Sequence, residues 1–85
     1  MQYIKEIDIH GYTQQEARKM IDAALKKPDA LTLRIIHGYN QGQILAQMVR
    51  KRYRSHPHVQ RIELSMNPGI TDIITKKDKL LNVNK

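Results

Sequence analysis

The sequence predicts an α/β two-layer sandwich of order βαβαββ, with a mixed four-stranded sheet and two helices on one face. Three observations carry this expectation. Four short segments alternate apolar with polar residues, as half-buried strands do. Two longer segments between them repeat apolar residues at helical spacing. The last two strands are separated by little more than Asn67-Pro68-Gly69, a turn that sends the chain back as a hairpin. Right-handed crossovers then place both helices on the same side of a mostly parallel sheet.

Residues 3–9 set Tyr3, Ile7 and Ile9 against Glu6 and Asp8, the pattern of a first strand. "TQQE", Thr13 to Glu16, is a capping box that opens a helix. Ala17, Met20, Ile21, Ala24 and Leu25 form its apolar face, and Pro28 stops it after two lysines. "ALTLRIIHG" is a second strand with Leu31, Leu33 and Ile35 on one face and Thr32 and Arg34 on the other. A second helix starts near Gln43, with Ile44, Leu45, Met48, Val49 and Arg52 as its inner stripe, and ends before Pro57. "VQRIELSM" is a third strand whose Ile62, Leu64 and Met66 alternate with charged residues. "ITDIIT" is the fourth. The open sheet face is expected to carry Ile4, Ile36 and Ile73, a surface suited to a second copy. One domain over residues 1–75 is expected, followed by a basic, frayed tail at 76–85.

Charge narrows the function classes. The chain of 85 residues has 15 Lys and Arg against 8 Asp and Glu, a net charge of +7. Charge is balanced through residue 30. Residues 31–61 then hold Arg34, Arg50, Lys51, Arg52, Arg54 and Arg61 with no carboxylate. A basic block in a neutral frame points to a polyanion, nucleic acid before an acidic membrane. Cysteine is absent, which removes disulfides and thiolate zinc sites and suits a reducing compartment. No signal-like apolar segment stands at the N-terminus, and no stretch nears the roughly 20 apolar residues of a membrane span, so cytoplasmic localisation is expected.

His10 and His37 end the first two strands, and each is followed by glycine. In open α/β sheets, ligands bind at this edge of the strands. Adjacent strands lie about 4.8 Å apart, so the two turns would share one crevice. Both turns lead into helix N-termini, which favour anions. Gly11 and Gly38 allow close backbone approach. Asp8, His10 and His37 with these turns make a candidate phosphodiester site. The plainer readings are capping or packing histidines, glycines that only shape turns, and a surface Asp8.

"IDIHGYTQQEA" and "IIHGYNQGQIL" resemble the two signatures of the small MutS-related (Smr) domain, a Leu-Asp-Leu-His-Gly motif and a later His-Gly turn rich in glycine. "NPGIT" resembles the family's turn before its last strand, so the likeness spans about residues 4–75. It implies a βαβαββ sandwich similar to the C-terminal domain of translation initiation factor three. It also implies nucleic-acid binding and, in several members, endonuclease activity on DNA or RNA. Asp8, His10 and Gly11 match the first signature; His37, Gly38 and Gly42 match the second. Asn40 replaces the middle glycine, where its side chain crowds a phosphate, though Asn tolerates left-handed backbone. Tyr39 stands where the family often has a basic residue and offers a ring for base stacking.

Three functions compete. An endonuclease using two metals needs several carboxylates, and near the crevice there are only Asp8 and Glu6. A divalent metal is therefore not firmly implied. Two histidines better fit general acid–base cleavage of RNA, one taking a proton and one donating it, with the assignment open. The second function is a non-catalytic module that docks on nucleic acid or a ribosome, which Asn40 favours. The third is a small-molecule enzyme, which leaves the basic block unexplained. For backbone contacts the candidates are Arg34, Arg50, Lys51, Arg54 and Arg61, with Tyr53 in the core or stacking. His56 and His58 flank Pro57 without a third metal ligand.

Overall fold

A computed structural model describes residues 2–39 and 43–76. Asn40 and Gly42, and the expected tail from residue 77 onward, lie outside these residues. The elements are β1 (Gln2–Asp8), α1 (Gln14–Lys26), β2 (Ala30–Ile36), α2 (Gln43–Tyr53), β3 (Val59–Leu64) and β4 (Ile70–Thr75). This is the βαβαββ order that the periodicity predicts.

The strands form one mixed sheet in the order β1-β2-β4-β3. Among the described residues, only β1 and β2 pair in parallel; β4 lies between β2 and β3, antiparallel to both. The first three strands share a direction and β4 runs against them, the mixed sheet that the pattern predicts; the central place of β4 is set by pairing and not by local pattern. A tight hairpin after β3 lets the last strand insert beside β2, where both its edges find partners.

The sheet buries one face under the helices. Ile7 and Ile9, Leu33 and Ile35, and Ile73 meet Ala17, Ile21 and Leu25 of α1 and Leu45, Val49 and Tyr53 of α2. The capping box of α1 is complete. The Thr13 hydroxyl accepts from the Glu16 amide at 3.1 Å, and the Glu16 carboxylate accepts from the Thr13 amide at 3.0 Å.

Several packing expectations are corrected. Ile73 is fully buried in the core, while its neighbour Ile74 takes the opposite face, opposite Thr32. Two adjacent isoleucines give no alternation, so only the pairing register decides between them. In α2, Ile44 is 62% exposed and Arg52 lies outside the core; Ala46 and Tyr53 take their places. Tyr53 fixes this rotation, because its hydroxyl donates to Asp22 of α1 at 2.7 Å. Arg52 also reaches Asp22, at 3.2 Å. In β3 a register shift between Val59 and Arg61 adds one residue, so Val59 and Ile62 face inward together. Leu64 and Met66 are exposed.

Candidate functional site

The period of two along each strand assigns the two histidines opposite surroundings. Along β1 and the two residues that follow it, Ile7 and Ile9 point to the core, so Asp8 and His10 point outward. In β2, Leu33 and Ile35 are the inward residues, and His37 follows in the same phase. It is 1% exposed.

Asp8 and His10 form an open dyad. Asp8 Oδ1 accepts from His10 Nδ1 at 2.5 Å and from the His10 backbone amide at 3.1 Å. These bonds, the ring's first, hold the Asp8 carboxyl below its ordinary value of 3.8. With the proton on Nδ1, Nε2 presents a lone pair outward, the arrangement of an oriented general base.

His37 is enclosed by a hydrogen-bond chain with every donor and acceptor assigned. Its Nδ1 donates to the Gly38 carbonyl at 2.7 Å. Its Nε2 accepts from the Thr71 hydroxyl at 2.9 Å, and Thr71 accepts from Arg50 Nε at 3.3 Å. Burial pushes the His37 pKa down, with the Arg50 charge acting in the same direction. This imidazole is neutral and has no free nitrogen. Two imidazoles open to one crevice, as the sequence suggests, are thus reduced to His10 alone.

Three turns meet at this edge. Gly11 and Gly38 both adopt φ of +79°, and Ile9 N donates to Ile36 O at 2.9 Å to hold the first two together. A Cβ on Gly38 would lie 3.7 Å from that of His10. The third turn, Asn67 to Gly69, supplies one carbonyl to both the His37 and Gly38 amides, at 2.9 and 3.1 Å. The Gly38 amide is therefore spent inside the fold rather than free for a phosphate.

The turns enclose an open crevice of about 740 Å³, lined by His10, Gly11, Tyr12, His37, Tyr39 and Ile44 among others. The helix ends beside it differ. The first turn of α1 carries the Glu16 carboxylate and caps itself. The first turn of α2 has no acid, so its positive dipole end is the better anion seat. A smaller cavity of about 140 Å³ joins Gly38, Tyr39, Gln43 and Arg50.

The other basic candidates separate. Arg34 grips Asp72 with two hydrogen bonds, 3.0 and 3.1 Å, on the uncovered sheet face. Arg61 lies on that face too and holds Glu63 at 2.7 Å. Arg50 sits near the crevice, and exposed Lys51 and Arg54 enter no ion pair among the described residues. The five cations do not make one track. His56 accepts from the His58 amide through Nδ1, and no set of three candidate metal ligands converges among the described residues. No helix there is long and apolar enough to cross a membrane. Sequence reasoning missed Thr71 and Tyr12. Thr71 sits at an inward position of β4 facing Ile35, and Tyr12 stands in a repeated Ile-His-Gly-Tyr string, so both left a signal.

Comparison with curated proteins gives no match. Among solved structures, the Smr domain of MutS2 from Thermus thermophilus is similar, with a TM-score of 0.74 and 29% identity. The match covers 84% of this chain and 96% of that one. The family model of the Smr domain matches residues 7–68, which include the Asp8–His10 dyad and both His-Gly turns, and the chain belongs to the Smr domain family.

Proposed function

We propose that this domain binds nucleic acid at the crevice between its two His-Gly turns and cleaves RNA there through the Asp8–His10 dyad. The observation that carries the reading is the 2.5 Å contact between Asp8 Oδ1 and His10 Nδ1 at an exposed strand end. The family membership and the net charge of +7 support the binding half.

A phosphodiester seated toward the first turn of α2 and Arg50 has a helix dipole and a guanidinium to neutralise it. His10 Nε2 takes the proton of the 2′-hydroxyl, and that oxygen attacks the phosphorus. The bond from phosphorus to the 5′-oxygen breaks. The imidazolium returns its proton to the leaving oxygen, yielding a 2′,3′-cyclic phosphate and a 5′-hydroxyl. Asp8 orients the ring and stabilises its charged form. His37 shapes the turn and takes no proton.

A second reading, a module that binds without cutting, is favoured by the sealed state of His37, which leaves one imidazole for two proton transfers. Labelled single-stranded RNA, duplex DNA and branched DNA, each with and without EDTA, separate the two. Bound and cut RNA supports the dyad; bound but intact RNA leaves the module.

A further inference from the structure

The same four residues, Ile-His-Gly-Tyr, occur at 9–12 and again at 36–39. Both copies turn at a glycine with φ of +79°, and both end with a tyrosine on the crevice wall. Tyr12 is 47% and Tyr39 58% exposed, and Ile44, at 62%, completes an apolar rim. Large apolar surfaces gathered at one opening mark an interaction site rather than scattered surface residues. Ile44 lines this opening and is not part of the core.

We propose that the twin turns form a clamp for an unpaired nucleobase, with Tyr12 and Tyr39 as its stacking surfaces. This rests on the nucleic-acid reading above and narrows it to single-stranded or looped substrates. The crevice, about 740 Å³, lies in the range of pockets that enclose a small ligand. Aromatic rings hold bases of any identity by their faces, which duplex pairing and stacking withhold. A base held here sets its own phosphate beside His10, which shares the lining with both rings. The clamp therefore positions a flexible strand for the dyad, a role that charged side chains alone do not perform.

Binding of a 2′-deoxy single strand, its duplex and a copy with abasic positions tests the clamp without cleavage at a 2′-hydroxyl. Tyr12→Ala and Tyr39→Ala should each weaken single-strand binding by roughly 5- to 150-fold, the effect of losing one stacking surface. Phenylalanine at either position should restore it. Tyr3→Ala is the control, since Tyr3 is 79% exposed but near the opposite end of β1. On the abasic strand the alanine variants should match the parent protein. Unchanged single-strand affinity in both folded alanine variants overturns the clamp and leaves nucleic-acid binding standing. Equal losses on intact and abasic strands also overturn it. Failure of the parent protein to bind any nucleic acid overturns both readings.

Discussion

The Thr71 hydroxyl donates to His37 Nε2 at 2.9 Å, joining β4 to the turn that follows β2. The hydroxyl also accepts from Arg50, so one threonine ties the turn, the central strand and α2 together. Thr71→Val keeps the shape and removes the hydroxyl. It leaves a buried acceptor unsatisfied, which costs about 1–3 kcal/mol. A lower urea midpoint at unchanged m-value is the expected readout.

The same enclosure sets a pH dependence. His37 lies below its ordinary value of 6.5 chiefly because of burial, and His56 does so as well, from partial burial and the nearby His58. The unfolded chain therefore binds these protons more readily than the native one. Their contribution to stability is full above pH 6.5 and is lost as pH falls through the lower native values. The urea midpoint should decline in that window, and a His56→Asn protein should keep the part due to His37. A midpoint independent of pH there would contradict the neutral, buried assignment.

Gly69 marks where the turns crowd. An added Cβ would sit 3.3 Å from Gly38 Cα and 3.3 Å from Asn67 Oδ1. Gly38 offers backbone and cannot swing aside, so Gly69→Ala must push the two turns apart. Lower stability and weaker RNA binding are expected together, measured by thermal unfolding and by titration.

The cations should divide by location. Arg34 serves Asp72 and the sheet, so Arg34→Ala should lower the unfolding midpoint and leave affinity for RNA unchanged. Replacing Arg50, Lys51 and Arg54 by alanine should weaken binding to all sequences alike. It should also flatten the slope of log affinity against log salt by roughly 0.7 to 0.9 for each phosphate that the protein no longer neutralises. An unchanged slope would remove α2 from the interface.

Most of this architecture is legible in local pattern. The Thr13–Glu16 capping box, the Ile7 and Ile9 phase, and the Asn-Pro-Gly hairpin each act within a few residues, where sequence and structure are directly coupled. What escapes is decided by pairing. The bulge in β3 and the insertion of β4 beside β2 depend on partners distant in the chain, and Ile73 and Ile74 are indistinguishable without them. The candidate site shows both sides. Two His-Gly turns at one edge can be read directly, but their unequal exposure requires following the strand phase one step beyond the last isoleucine. His37 continues the inward series Leu33, Ile35, whereas His10 breaks the series Ile7, Ile9. Arg34 looked available because its partner, Asp72, is 38 residues away.

The central claim is that His10, oriented by Asp8, performs the chemistry while His37 only supports the turn. Cleavage of a labelled RNA in EDTA by the parent protein, His10→Ala and Asp8→Asn tests it most directly, with binding followed in parallel. His10→Ala should lower the rate by roughly 10²- to 10⁴-fold, and Asp8→Asn should lower it less, with little change in affinity. An RNA carrying 2′-deoxyribose at the scissile nucleotide should remain intact. Retained cleavage in His10→Ala, or cutting of an all-DNA strand that requires a divalent ion, would contradict the account.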